Sequence, residues 1–287
     1  MCRNSGKIDC YDRVELKKSM TDLSLGVVIT GGSAGLGFAL ASAFLAAGDR
    51  VVICGRNHER LDGALHSLSE GFPEREVYGI RCDVGDPEDV EMLAGFAADR
   101  LGRVDRWINN AGTAGQLKRP LWMLRSDDIL ETITTNLSGS ILLCAEAVRL
   151  MESQPSSPEA IYHIFNMGFS FSGAAFSRSA VPHKASKRGV AELTHFLSKE
   201  LRGAGKTSIG VHELSPGLVL TGLLLQDASP EAIRLFRVIA ERPEHVATRL
   251  APKIRSITGS HRHIRYQPFV MTLLKALTGI FRTSGKR

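Results

Sequence analysis

Short apolar runs alternate with longer amphipathic stretches along most of this 287-residue chain. Six of the short runs predict buried strands, and they lie at 25–30, 50–55, 77–82, 106–110, 161–167 and 208–214. The stretches between them place apolar residues at helical spacing and predict helices, for example over 36–48, 87–101, 128–152 and 185–203. Strands that alternate with helices in this way predict right-handed βαβ crossovers and a parallel sheet covered on both faces.

This order of elements predicts an α/β protein of the Rossmann type, a doubly wound parallel sheet of six to seven strands flanked by helices. The alternation weakens after residue 221, where two helices broken near Pro243 precede a candidate seventh strand at 263–267. No repeat or low-complexity linker interrupts the pattern. We therefore expect a flexible segment over 1–22, one Rossmann-type domain over 23–267, and an apolar, basic helix over 268–287.

The basic character of the chain is concentrated near its end. The net charge is +6, and the residues from Val246 onward hold nine Lys or Arg and no Asp or Glu. This favours contact of the C-terminal segment with an anionic surface, with a solvated face as the alternative. The five cysteines are scattered, His261 and His263 have no acid or Cys near them in the sequence, and no apolar run reaches the ~20 residues that span a bilayer. Neither a disulfide framework, nor a metal site, nor a nucleic-acid partner is expected.

A glycine-rich turn, TGGSAGLG at 30–37, joins the first predicted strand to the first predicted helix. Its glycines allow a tight turn, a close approach of the backbone to phosphate, and tight packing of helix on strand. At this junction the turn predicts a pyrophosphate site, with a plain glycine loop as the alternative. The residues assigned to the site are Thr30, Gly31, Ser33, Gly35, Leu36 and Gly37.

Arg56 follows the second predicted strand, at the position where dinucleotide folds that prefer NAD place an acid for the ribose hydroxyls. A cation there suits a 2′-phosphate, so the sequence favours NADP(H), with a solvated Arg56 as the alternative. Asp83 follows the third strand, where its carboxylate can accept a hydrogen bond from the adenine amino group. The motifs CDV and NNAG, which end the third and fourth strands, add Val84, Asn110, Ala111 and Gly112 to the expected cofactor site.

Together these motifs resemble the short-chain dehydrogenase/reductase family over about residues 25–225. The resemblance is carried, in the family's order and spacing, by the glycine turn, Asp83, NNAG, Asn136 in TTNLSGS, Ser170, Lys187 and SPGLVLT. It implies that Ser170 hydrogen-bonds a substrate carbonyl, that Lys187 binds the nicotinamide ribose, and that Asn136 positions a water relay. It also implies that the carboxamide end of the nicotinamide is held by Pro216, Gly217, Val219 and Thr221.

A narrower resemblance extends beyond these motifs. WINNAGT, NLSGSIL, HIFNMG and SPGLVLTGLLL, followed by ERPEHVATRLAPKIRSITGS, are similar to the chlorophyll(ide) b reductases of plastids. This implies NADPH-dependent reduction of the 7-formyl group of chlorophyll(ide) b to a hydroxymethyl group, in the chloroplast at the thylakoid surface. The apolar, basic C-terminal segment suits contact with that membrane, whereas docking on the core or contact with another subunit, in a homo- or hetero-oligomer, is the alternative.

Position 183 departs from the family, since it holds His where the family has the Tyr that protonates the product. Imidazole titrates near ~6.5 and phenol near ~10, and Lys187 at i+4 is expected to lower the pKa of His183 further. Three outcomes stay open: a slower reductase, a pigment- or NADP(H)-binding protein with little turnover, and a reductase of another carbonyl. The partner serine is also open, because Ser172 competes with Ser170.

Overall fold

The computed structural model describes residues 24–168 and 179–266. Seven parallel strands form one sheet in the order β3-β2-β1-β4-β5-β6-β7, as the sequence pattern predicts. The chain runs outward from β1 in both directions, so the switch of strand order lies between β1 and β4. The strands are β1 (Gly26–Thr30), β2 (Arg50–Gly55), β3 (Val77–Arg81), β4 (Arg106–Asn109), β5 (Tyr162–Met167), β6 (Ile209–Ser215) and β7 (His263–Arg265).

Nine α-helices lie within the described part of the chain. They are α1 (Gly35–Ala46), α2 (His58–Gly71), α3 (Pro87–Leu101), α4 (Ser126–Ile133), α5 (Gly139–Glu152), α6 (Val181–Gly203), α7 (Gly222–Leu225), α8 (Pro230–Ile239) and α9 (Pro243–Arg255). The helix predicted over 128–152 forms as one continuous helical stretch, but a π-helical turn at Thr134–Ser138 separates α4 from α5 within it, which the prediction did not include. None of the described helices has the length and apolarity needed to cross a membrane.

The two faces of the sheet carry separate apolar cores. Successive side chains of a strand point to opposite faces, so Val27 and Ile29 of β1 face one helical layer while Val28 faces the other. The first layer is formed by α1, α2 and α9, and the second by α3, α5 and α6. This arrangement leaves the carboxyl ends of the strands, and the loops that follow them, open for a ligand.

Arg106 fastens the end of α9 to the sheet. Its guanidinium is buried and donates to the carbonyl oxygens of Ile254 (2.9 Å) and Arg255 (2.7 Å), which end the helix, and to that of Ile161 (2.9 Å). Burial lowers the pKa of Arg106 to about 10, so the side chain stays charged at neutral pH and complements the negative end of the helix dipole. Arg255 in turn forms an ion pair with the buried Asp49 at 2.8 Å.

The histidine of β5 belongs to the core. His163 and His212 are buried side by side on β5 and β6, with His163 Nδ1 2.9 Å from His212 Nε2. Burial lowers the pKa of His163 to about 2 and that of His212 to about 3, so both rings are neutral. The N-terminal segment 1–22 and the helix expected over 268–287 lie outside the described residues and stay predictions.

Candidate active site

The glycine turn between β1 and α1 has the backbone geometry that a phosphate cradle needs. Gly31 and Gly35 adopt left-handed φ angles of 64° and 57°, which residues with a Cβ rarely adopt. A Cβ on Gly37 would collide with the carbonyl oxygen of Gly31, so only glycine lets α1 pack this closely. Ala34 makes no side-chain cap to α1, which leaves the first backbone N–H groups of that helix available to an anion.

A hydrogen-bond network joins this turn to the end of β4. The hydroxyl of Thr30 accepts from the backbone N–H groups of Asn110 (3.1 Å) and Ala111 (3.0 Å). The Asn110 side chain donates to the carbonyl oxygens of Thr30 (2.9 Å) and Gly31 (3.2 Å). The predicted residues of the two motifs therefore meet at the switch point of the sheet, where this class of fold binds its ligand.

A cleft of about 360 Å³ opens beside β2 and β3, with Arg56 and Asp83 in its wall. Arg56 is half-exposed and forms an ion pair with Glu131 at 3.1 Å, a contact between segments 75 residues apart that no sequence pattern predicts. Asp83 turns one carboxylate oxygen back to the N–H of Gly85 at 3.0 Å, while its own N–H donates to Asp89. Val84 is buried below the cleft, where its carbonyl oxygen lies against Gly139.

His183 and Lys187 lie one turn apart at the start of α6. The helix begins at Val181, with Pro182 in its first turn, and both titratable side chains are buried, with residue exposures of 4% and 8%. Burial, together with the positive charges of Lys187 and Lys118, lowers the pKa of His183 to about 4. Burial lowers the pKa of Lys187 to about 8. At neutral pH the site therefore holds a neutral imidazole beside an ammonium group.

Asn136 lies in the π-helical turn, which directs its fully buried side chain toward the loop after β4. Its Oδ1 accepts from the N–H of Thr113 and its Nδ2 donates to the carbonyl of Thr113, each at 2.9 Å, and it also donates to Ser186 at 3.1 Å. Gly112 lies against both the π-helical turn and α6, since a Cβ placed on it would stand 2.9 Å from Asn136 Oδ1 and 3.3 Å from Lys187 Nζ. The structure thus brings Gly112, Asn136 and Lys187 together.

The segment after β6 closes over the glycine turn. Gly217 has a left-handed φ of 78°, and the methyl group of Thr221 lies 3.1 Å from the place a Cβ on Gly35 would occupy. Val219 is buried and forms an isolated parallel bridge with Glu241. Pro216, the remaining predicted residue of this segment, precedes the turn that Gly217 makes.

Sequence reasoning missed Lys118, whose charge reaches His183. The Lys118 ammonium donates to the carbonyl of Leu224 at 3.1 Å, and its backbone N–H donates to Asp227 at 2.6 Å. Lysine in a polar loop gives no signal of this contact, because the loop after β4 and the segment after β6 are distant in sequence. Ser170 and Ser172 lie outside the described residues, so their assignments stay predictions.

None of the tyrosines in the described part of the chain lies on α6 beside His183 and Lys187. Tyr78 is on β3, Tyr162 donates from its hydroxyl to the carbonyl of Pro155 at 2.8 Å, and the ring of Tyr266 packs against Arg249. His261 bonds the carbonyl of Val211, and His263 lies 3.0 Å from Ser215 and 3.5 Å from Glu213. Among the described residues no group of three or more His, Cys, Asp or Glu side chains is arranged to hold a metal ion.

A glycine cradle at the switch point and a buried Lys on α6, which reaches Gly112 after β4, define a dinucleotide-dependent oxidoreductase. The chain belongs to the short chain dehydrogenase family, which residues 26–231 match, and is an oxidoreductase that acts on a carbonyl or CH–OH group. The family and the doubly wound parallel sheet expected from the sequence are therefore confirmed.

Individual relatives narrow the comparison. A chlorophyll(ide) b reductase of Oryza sativa subsp. japonica is 40% identical over 257 residues, covering 89% of this chain and 74% of that protein. A chlorophyll(ide) b reductase of Arabidopsis thaliana is 38% identical over 274 residues, and the match covers 94% of this chain and 76% of that protein. Both relatives are named as chloroplastic. A short chain dehydrogenase/reductase from Burkholderia phymatum in complex with NAD superimposes with a TM-score of 0.71 at 26% identity, covering 88% of this chain and 92% of that chain.

Proposed function

We propose that this chain is an NADP(H)-dependent reductase that converts the 7-formyl group of chlorophyll(ide) b to a hydroxymethyl group. The observation that carries the proposal is the contact of Gly112 with both Asn136 and Lys187, which joins the cofactor cradle to the proton-handling helix. The identity of 38% to 40% with chlorophyll(ide) b reductases over most of the chain supports the substrate class. The same relatives support a chloroplast location, which we place at the thylakoid surface.

The described residues fit a bound NADPH. The glycine turn and the open start of α1 would hold the pyrophosphate, Asp83 the adenine, and Lys187 the nicotinamide ribose. Arg56 at the cleft would pair with the 2′-phosphate once it exchanges Glu131 for the cofactor. The segment of Pro216 to Thr221 would cover the nicotinamide. When bound, NADPH supplies the hydride that adds to the formyl carbon.

The protein supplies the proton that the developing alkoxide oxygen needs. A neutral His183 donates one N–H to that oxygen but does not release a proton on its own, because the imidazolate left behind is a far stronger base. Lys187, with a pKa of about 8, is mostly protonated at neutral pH, and its charge is felt at His183 one turn away on the helix. We place His183 as a relay: one ring nitrogen gives its proton to the alkoxide while the other takes one passed on from Lys187.

Ser170 would hold the carbonyl oxygen beside His183 in this scheme, with Ser172 as its rival. The C-terminal segment 268–287 would contact the thylakoid membrane or a second subunit, in a homo- or hetero-oligomer. A second candidate function is a pigment- or NADP(H)-binding protein with little turnover. It is favoured by the low pKa of His183 and by the distance of Tyr78, Tyr162 and Tyr266 from the site.

The test incubates the purified full chain with NADPH and chlorophyllide b and measures the 7-hydroxymethyl product. We expect wild type to turn over, His183→Phe to lose about 10² to 10⁴ of the rate, and Lys187→Met to lose at least as much. His66→Phe, a change of an exposed histidine on α2, is the control and keeps the wild-type rate.

Three results would each contradict the proposed NADPH-dependent reduction of chlorophyll(ide) b. If wild type is silent while His183→Tyr turns over, the chain has kept the family's fold and lost its activity. If neither form reacts yet NADPH binds, the substrate is another carbonyl compound. If NADPH does not bind to wild type at millimolar concentration, the cofactor assignment itself is wrong.

A further inference from the structure

An exposed apolar turn, here called the apolar tip, consists of Leu121, Trp122 and Met123 in the loop between β4 and α4. Their exposures are 42%, 85% and 54%. The backbone is held in a single 3₁₀ turn, in which Met123 N–H donates to the Pro120 carbonyl at 2.9 Å and Leu124 N–H to that of Leu121 at 3.2 Å. A fixed turn that presents a tryptophan to water marks an interaction site rather than a packing residue.

The apolar tip belongs to a larger exposed surface. Lys118 bonds the carbonyl of Leu224 and the carboxylate of Asp227, so the loop that carries the tip is fastened to α7, whose Leu223 is exposed. The helix that follows, α8, has the alternating apolar and basic sequence IRLFRVI, yet none of its residues is buried. Both segments follow the carboxyl ends of strands, β4 and β6, at the edge of the sheet where His183 lies.

The loop that carries the apolar tip is basic along the chain, and the carboxylate of Asp227 lies against the backbone of Lys118 within it. Between Gln116 and Ser126 the chain holds Lys118, Arg119 and Arg125 and no acid, and Arg119 is exposed. Asp127 pairs with Arg125 and is the nearest acid along the chain. An aromatic side chain flanked by cations is the arrangement that stabilises a protein at the interfacial layer of an anionic bilayer.

We propose that the apolar tip inserts into the headgroup region of a lipid bilayer that carries anionic lipids. Insertion of Trp122 turns the carboxyl edge of the sheet, and with it the entrance to His183, toward the bilayer. The proposal concerns binding alone, so its outcome does not depend on whether the chain reduces chlorophyll(ide) b. It assigns a membrane contact to a loop of the folded domain, separate from the segment 268–287.

The two tryptophans of the chain make this contact measurable. Trp107 is fully buried and hydrogen-bonded to Asn109, so a change of tryptophan emission on mixing with vesicles reports Trp122. With vesicles of phosphatidylcholine and phosphatidylglycerol we expect the full chain to bind, its emission to shift to the blue, and brominated lipid to quench it. Pure phosphatidylcholine vesicles, or high salt, weaken the binding because the cations contribute to it.

Sedimentation with the same vesicles tests the tip by substitution. Trp122→Ala should weaken the partition about tenfold. Met92→Ala, which removes another exposed apolar side chain, one on α3 and outside the apolar tip, should leave the partition unchanged. Both variants should unfold at the wild-type temperature because both positions face water.

Each of three results overturns the proposal. The full chain fails to bind the mixed vesicles. It binds, but Trp122 is neither blue-shifted nor quenched and Trp122→Ala partitions like wild type, which would place the contact in the C-terminal segment. The full chain does not bind vesicles but self-associates as its concentration rises, and Trp122→Ala abolishes that self-association. The apolar tip would then contact a second copy of the chain.

Discussion

At the scale of single residues, the ion pair between Arg56 and Glu131 is the feature on which cofactor choice depends. Both side chains are about half-exposed, so the pair contributes little to stability, and a phosphate that brings two charges competes with Glu131 effectively. The carboxylate therefore holds Arg56 at the mouth of the cleft rather than blocking it. An incoming 2′-phosphate would displace one surface ion pair and gain a charge-assisted one.

This arrangement predicts opposite effects for the two partners of the pair. Arg56→Ala should raise the Kd for NADPH about ten- to a hundredfold and leave that for NADH within about twofold, because only NADPH carries the 2′-phosphate. Glu131→Gln should tighten NADPH a few-fold, since the competing carboxylate is gone. Quenching of protein fluorescence gives the Kd of each variant for NADPH and for NADH, which is compared with the wild-type value. Equal losses for NADPH and NADH in Arg56→Ala would refute the NADP(H) assignment.

Position 183 holds His where the family has Tyr, and the consequence of this single difference depends on the surroundings of the side chain. An exposed histidine would be half-protonated near ~6.5 and could act as an acid. Burial and the charges of Lys187 and Lys118 remove that option. The spacing to Lys187 therefore predicts the right direction for the pKa, whereas the size of the shift follows mainly from burial in the folded chain, with a smaller contribution from Lys118, which sequence reasoning missed.

At the scale of elements, α6 and the π-helical turn place the site. The π-helical turn shifts the register between α4 and α5, so that Asn136 points at the loop after β4 instead of continuing the face of a regular helix. π-helical turns are frequent at functional sites, yet periodicity over 128–152 fits an unbroken helix equally well. The position of Asn136 could be taken from its motif, but its hydrogen bonds to Thr113 could not.

The two buried histidines of the neighbouring strands β5 and β6 are expected to make the stability of the fold depend on pH. His163 and His212 are neutral in the folded state, with pKa values lowered to about 2 and about 3, whereas in the unfolded chain they titrate near ~6.5. The unfolded state therefore binds more protons below that pH, so stability is full above ~6.5 and falls as the pH falls. Each histidine contributes a loss of up to about 1.4 kcal/mol per pH unit.

Urea unfolding at pH 7 and pH 5 checks this prediction. His212→Leu should lose part of the difference in unfolding free energy between the two pH values, because one of the two groups no longer titrates. His66→Gln, at an exposed position of α2, should keep the wild-type difference. A His212→Leu variant with the full wild-type difference would show that the buried pair is not its source.

At the scale of the whole molecule, most of the architecture follows from patterning. Six buried apolar runs predict six strands within one or two residues, and the short run at 263–267 supplies the seventh, confined to His263–Arg265. The contacts of Arg106 cannot be predicted from the hydrophobic pattern, because nothing in that pattern indicates that a charged residue at the start of a strand is buried against the end of α9. Such contacts join segments that are distant in sequence, and neither periodicity nor spacing contains them.

The whole molecule also sets the reaction scheme, because the cradle, the relay and the exposed apolar tip all lie at the carboxyl edge of one sheet. In this scheme a neutral His183 relays a proton held by Lys187. The most direct measurement is the pH dependence of kcat for wild type with NADPH and chlorophyllide b. The rate should be constant through the range around ~6.5, where a free imidazole titrates, and should fall about tenfold per pH unit above about pH 8, as Lys187 loses its proton. A rate that falls with rising pH through ~6.5 would instead make His183 itself the acid and contradict the account.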